Sequence, residues 1–210
     1  MPIIYHEQAK EFHLFNDEVS YIIGIMENGQ MENLYYGKAL RDREDFSHFH
    51  EETMRSQMSI CVPEPGLLSM HYTRQEYPVY GTGDYKSPAL CIRQEDGSRI
   101  TNFVYKDYKI LKGKPSLAPL PATYVEDDGE GDTLEITLHD DKINTDMVLS
   151  YTIYKDYPVI TRNTRFLHKG ESSIVLEKAM SVCVEFLDMD FEMVQLSGAW
   201  ARERYVKSRR

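Results

Sequence analysis

Three cysteines, Cys61, Cys91 and Cys183, are all the thiols in this 210-residue chain, and no two form a CxxC pair. An odd, scattered set builds no disulfide framework and suits reduced thiols in a reducing compartment. Basic charge is also short, with 24 Lys and Arg against 34 Asp and Glu and a formal charge of −10. Nucleic-acid phosphates and anionic membrane surfaces are repelled by such a balance, so neither is expected as a partner, whereas a neutral ligand is compatible with it. No apolar run approaches the roughly 18 residues of a membrane span. The N-terminal Met1-Pro-Ile-Ile-Tyr-His-Glu7 has neither the basic start nor the apolar stretch of a signal peptide. A cytoplasmic location follows as the default. There is no Gly-x-Ser-x-Gly elbow for a serine nucleophile. Gly81-Thr-Gly83 is too short for a phosphate cradle and is followed by no obvious helix.

What the sequence does have is strand periodicity. Val19, Tyr21, Ile23 and Ile25 recur at period two, as do Leu134, Ile136 and Leu138, and Met147, Leu149, Tyr151 and Ile153. Ile3 to Tyr5, Glu11 to Phe15, Val19 to Met26 and Met31 to Tyr36 read as an opening antiparallel meander, with turns at Asn16-Asp17 and Asn28-Gly29. Leu90 to Gln94 and Ile100 to Leu111 are expected to pair across Asp96-Gly97. Thr123 to Glu126 is expected to pair with Thr133 to His139, across the acidic turn Asp127 to Asp132. That turn lacks the spaced ligands and terminal glutamate of a calcium loop and reads as a solvated tip. Thr145 to Tyr154, Pro158 to Leu167 and a long Ile174 to Leu187 complete the strands. Pro115, Pro119 and Pro121 keep their stretch out of a sheet interior. With turn signals every eight to fifteen residues and no convincing amphipathic helix, the expectation is an all-β fold, one large antiparallel β-sandwich domain over residues 1–210.

Two stretches break the pattern. From Arg41 to Ser59 no face can be buried, which predicts a long excursion or lid-like loop. Within it His48 and His50 stand beside Glu51 and Glu52, but two histidines without a clear third and fourth ligand read as solvated, and no metal is assigned. Gln75 to Pro88 is dense in tyrosine, glycine and proline, an irregular loop whose tyrosines are either a binding surface or a cap on one end of the sandwich.

The sole tryptophan lies in Asp190-Phe-Glu-Met-Val-Gln-Leu-Ser-Gly-Ala-Trp-Ala-Arg-Glu-Arg-Tyr205. Phe191 to Leu196 alternates loosely, Ser197-Gly198 breaks the run, and Trp200 follows at once. An indole in that position suits a core plug or a platform for a sugar ring.

This segment resembles one in the amino-terminal domain of microbial α-galactosidases of glycoside hydrolase family 36. Collinear blocks extend the resemblance along nearly all of the chain: Tyr35-Tyr-Gly-Lys38, Gln75-Glu-Tyr-Pro-Val-Tyr-Gly81, Asp96-Gly-Ser-Arg99, Lys112-Gly-Lys-Pro115, Leu120-Pro-Ala-Thr-Tyr124 and Asp156-Tyr-Pro-Val-Ile-Thr-Arg162. The resemblance implies an enzyme that hydrolyses terminal α-D-galactosides such as melibiose and raffinose with retention, and that needs no cofactor or metal. Such chemistry uses two carboxyl groups. In that family both are aspartates of a (β/α)₈ barrel lying after this domain, and no alternating βα pattern occurs here. No residue of this chain is therefore assigned as catalytic. The resemblance further implies a homo-oligomer in which this domain contacts the catalytic barrel of its own and a neighbouring subunit and walls the neighbour's sugar pocket. Trp200 matches the residue used there, with Phe191 and Arg202 expected beside it. A freestanding carbohydrate-binding or assembly module is the alternative reading. Because the family's domain continues past this motif, a chain ending at Arg210 is expected to be truncated, leaving open strand edges.

Overall fold

The computed structural model describes residues 2–50, 70, 73–81, 87–186 and 190–210. The fold is all-β. β1 (Ile3–His6), β2 (Glu11–Phe15), β3 (Val19–Ile25) and β4 (Met31–Lys38) form an antiparallel meander in sequence order. A second four-stranded antiparallel sheet is built from β6 (Val104–Lys112), β7 (Gly131–Asp140), β8 (Thr145–Tyr154) and β9 (Ile160–His168), also in order. β5 (Leu90–Gln94) pairs with β10 (Ile174–Ala179), and β11 (Met193–Ser197) with β12 (Tyr205–Arg209). Among the described residues no helix is long and apolar enough to cross a membrane.

The two large sheets pack face to face because each offers an apolar alternation. Phe12, Leu14, Tyr21 and Ile23 from the first meet Leu134, Ile136, Leu149, Tyr151 and Ile153 from the second in one buried core, which Leu90 and Ile92 of β5 join. Tyr5, Phe12 and Tyr108 close one side of it, with ring centroids 4.5–5.1 Å apart. Lysine stems bury Glu135 and Asp146 on the far face of the second sheet and Asp132 at the end of its core-facing side. Their heads pair as Lys112–Asp132 at 3.3 Å, Lys109–Glu135 at 2.9 Å and Lys106–Asp146 at 3.1 Å. Long aliphatic stems cover apolar surface while their ammonium groups stay wet.

Several expectations are corrected. Asp96-Gly97 does make a tight turn, with Gly97 at φ 84°, the Gln94 amide donating to the Ser98 carbonyl and the Gly97 amide to that of Gln94. It does not, however, join a hairpin. Arg93 and Arg99 on either side of the turn both reach Glu177, which ties β5 to β10, while β6 pairs with β7. Thr123 to Glu126 is no strand, since the proline-bearing stretch before it offers no regular ladder and Tyr124 is exposed. β10 stops at Ala179, after a bulge between Leu176 and Lys178, and 180–186 is irregular; Leu187 lies outside the described residues. β12 was not anticipated. Cys183 is half-buried and packs against the main core, and Cys61 lies outside the described residues.

The stretch expected to be a lid is a strap as far as it is described. Residues 39–50 lie over the outer face of the first sheet, where Phe46 is buried with Ile22 and Leu34. Polar anchors hold it. Glu11 accepts the Phe46 amide at 2.8 Å, Arg74 donates to the carbonyls of Leu34 and Phe49, and His50 Nδ1 lies 2.6 Å from Glu32. His50 is thus bound rather than solvated, while His48 is exposed. Glu51 and Glu52 lie outside the described residues.

Candidate functional site

β11 and β12 are joined by a seven-residue turn, 198–204, in full register from Met193↔Arg209 to Ser197↔Tyr205. Across this turn the Ala199 amide donates to the Arg202 carbonyl at 3.2 Å and the Arg202 amide to that of Ala199 at 2.9 Å. Ala201 and Arg204 both adopt left-handed backbone, at φ 61° and 59°. Residues other than glycine pay of order 1 kcal/mol or more for that region. Gly198 is required by close approach, because a Cβ there would lie 2.8 Å from the Arg202 carbonyl oxygen and 2.9 Å from Glu203 Cα. The turn is thereby fixed in shape, and it carries Trp200 at its tip.

Trp200 is 96% exposed. The core-plug reading is excluded. Arg202 shares the turn, its guanidinium 5.3 Å from the centre of the Tyr205 ring. Phe191, half exposed, sits at the base of the hairpin, 4.8 Å from Phe186. Phe186 in turn lies 6.0 Å from Tyr36, and Tyr36 5.4 Å from the buried Tyr21. Trp200 and Arg202 are thus brought together on one turn, while Phe191 is tied to the body of the sandwich by a file of rings. Met193, Val194, Leu196 and Val206 are all more than half exposed, so both faces of the hairpin present apolar area. A two-stranded hairpin of this kind is marginal by itself in water.

The file of rings ends at a group that the sequence reading passed over. Glu76 is wholly buried between the two large sheets. Its Oε2 accepts from the Tyr21 hydroxyl at 2.7 Å and from Asn33 Nδ2 at 3.1 Å. Its Oε1 accepts from the Tyr151 hydroxyl at 2.8 Å and lies 2.7 Å from Arg162 Nη1. The guanidinium also stands 4.9 Å from the Tyr151 ring centre. Burial pushes both tyrosine hydroxyls well up, so they remain donors. Burial opposes the Arg162 charge, but the fields of Tyr151 and Glu76 outweigh it and its pKa rises. Of the tyrosines between Gln75 and Pro88, Tyr77 is buried and Tyr80 half exposed, and Tyr85 lies outside the described residues. The signal for this pair was present, since Glu76 and Arg162 each lie in a resembling block, but nothing local links residues 86 positions apart.

A second cluster joins the strap to the first sheet. Asp42 Oδ1 lies 2.7 Å from His13 Nδ1 and 3.1 Å from His6 Nε2, and His13 Nε2 lies 3.0 Å from Ser20 Oγ. The order Ser–His–Asp is that of a hydrolytic triad. Ser20 is fully buried, however, and its Oγ accepts the Leu40 amide at 2.9 Å, so no substrate can reach it. An open groove of about 790 Å³ elsewhere is lined by Gln94, Asp96, Lys142, Asn144, His168 and Ser172 among others, with no Phe, Tyr or Trp ring to face a sugar.

Fold and hairpin define a β-sandwich that exposes an indole on a rigid turn. The glycosyl hydrolase family 36 N-terminal domain matches residues 29–210, and the chain belongs to that family. It is 39% identical over 209 residues to α-galactosidase AgaA of Geobacillus stearothermophilus, covering 100% of this chain and 28% of that protein. It is 35% identical to α-galactosidase Mel36A of Lactobacillus acidophilus, covering 98% and 28%. The crystal structure of the family 36 α-galactosidase AgaB of G. stearothermophilus superposes with a TM-score of 0.90 at 40% identity, over all of this chain and 28% of that one. A variant of AgaA has been crystallised with raffinose. The chain therefore spans little more than a quarter of the length of these relatives.

Proposed function

We propose that this chain is the non-catalytic amino-terminal β-sandwich portion of a cytoplasmic α-galactosidase that acts on terminal α-D-galactosides with retention. The parent enzyme assembles as a homo-oligomer, and this portion contacts the (β/α)₈ barrel of its own and a neighbouring subunit. Trp200 forms part of the wall of the neighbour's sugar pocket, its ring packing on the apolar face of a sugar. Phe191 extends that wall, and the Arg202 guanidinium forks to hydroxyl or carboxylate oxygens. The observation that carries this reading is the 96% exposure of the single tryptophan, held on a turn whose backbone is strained to present it. The same hairpin also exposes Val194, Leu196 and Val206, and exposed apolar area gathered on one element suits an interaction surface. The purified 210-residue chain is expected to show no turnover of a chromogenic α-galactoside and no calorimetric signal with galactose. Turnover would overturn the non-catalytic assignment. Galactose binding by the chain alone would favour a freestanding lectin.

A further inference from the structure

We propose that His6 Nε2, His13 Nδ1 and Asp42 Oδ1 form a binding site for a divalent transition metal of the zinc type, which fastens the 39–50 strap to the first sheet. Three separate segments supply the donors, β1, β2 and the strap, and the three atoms lie within 4.8 Å of one another. Neighbouring donors around tetrahedral zinc are roughly 3.3 Å apart, given bonds of about 2.0 Å. The two carboxylate–imidazole separations, 2.7 and 3.1 Å, already lie close to that figure. Two imidazoles and one carboxylate suit zinc and its neighbours, not calcium or magnesium.

The surroundings fit a metal site as well as the donors do. His13 is fully buried, and its outer nitrogen faces the Ser20 hydroxyl, the second contact that fixes a ligating imidazole. Ser20 Oγ takes one N–H from Leu40 and has a lone pair left for a second. Metal binding at His13 Nδ1 requires the tautomer with the proton on Nε2, which Ser20 Oγ at 3.0 Å is placed to accept. The Phe15 ring stacks on His13 at 4.4 Å and Phe46 stands 4.9 Å away, excluding water on the inner side. Asp42 keeps a third of its side chain exposed, which leaves the ion an entry path.

The test titrates the untagged chain with Zn²⁺ by calorimetry and with Co²⁺ by visible absorption, for wild type, Asp42→Asn and His6→Gln. The asparagine keeps an oxygen that accepts from both imidazoles, so the strap stays in place and only the metal loses a ligand. One equivalent of metal is expected, with an intense Co²⁺ band of low coordination number and a metal-dependent rise in melting temperature. Each variant should weaken binding at least tenfold, the scale on which even supporting contacts act, while melting like wild type without metal. Absence of saturable one-to-one binding at sub-millimolar Zn²⁺ would overturn the proposal. Binding that both variants leave unchanged would overturn it equally, because the metal would then sit elsewhere.

Discussion

Glu76 and Arg162 show what one buried charge does when it is fully matched. The carboxylate takes donors from β3, β4 and β8 and a cation from β9, so a single residue in a loop ties both large sheets together. A buried ion pair adds little net stability over an apolar pair of the same shape, but removing one partner strands the other. Arg162→Met and Glu76→Gln are therefore each expected to lower the unfolding free energy by about 3–5 kcal/mol. The double variant should lose distinctly less than the sum. Urea unfolding of the three proteins measures this, and additive losses would show that the two groups are not coupled. At this scale the sequence was partly legible. The period-two apolar residues announced the core, and Trp200 stood out as the sole indole. The polar contacts of Glu76, His13 and Glu32 were not legible, because each joins segments far apart in the chain.

At the scale of elements, the strands that were read correctly are those whose local alternation and turn chemistry agree, β1 to β5 and β7 to β9, although the partner of β5 was not. The failures occur where a partner outside the local sequence decided the outcome. Asp96-Gly97 turns the chain as its residues dictate, yet Glu177 draws both flanking arginines to β10 and sets the pairing. The Arg99 and Arg93 hydrogen bonds hold the Glu177 carboxyl down at about 2, against an ordinary 4.5. A carboxylate with a depressed pKa stabilises the fold above its unfolded value, and that contribution fades as pH falls toward the folded one. The β5–β10 pairing should therefore loosen between pH 4.5 and about 2. NMR titration of the Glu177 carboxyl, with exchange rates of the β10 amides, checks this. Titration at 4.5 with unchanged exchange would count against the clamp. The hairpin offers a second case. Gly198→Val puts a branched Cβ 2.8 Å from the Arg202 carbonyl oxygen, so the β11–β12 cross-strand contacts should be lost while the core melts as before, which amide exchange resolves segment by segment.

The whole molecule is a frame with one face finished and one feature left outside it. The sandwich closes over its own core, the strap covers the outer face of the first sheet, and the hairpin carries Trp200, Val194, Leu196 and Val206 into solvent. Net charge sharpens the contrast. Residues 190–210 hold five Arg and Lys against three Asp and Glu, +2, so the remaining 189 residues carry −12 of the total −10. A basic, apolar hairpin on an acidic body is suited to a surface that the body itself does not provide. Fold class and the position of the indole were legible in the sequence because resembling blocks run collinearly along the chain. The orientation of that indole was not, since a ring beside a strand packs inward as often as outward. The most direct measurement follows from there being a single tryptophan. Its fluorescence in the isolated chain should have the long-wavelength emission of an indole in water and should be quenched by iodide and acrylamide as fully as a free indole. Short-wavelength emission shielded from iodide would place the ring inside the sandwich and contradict the account.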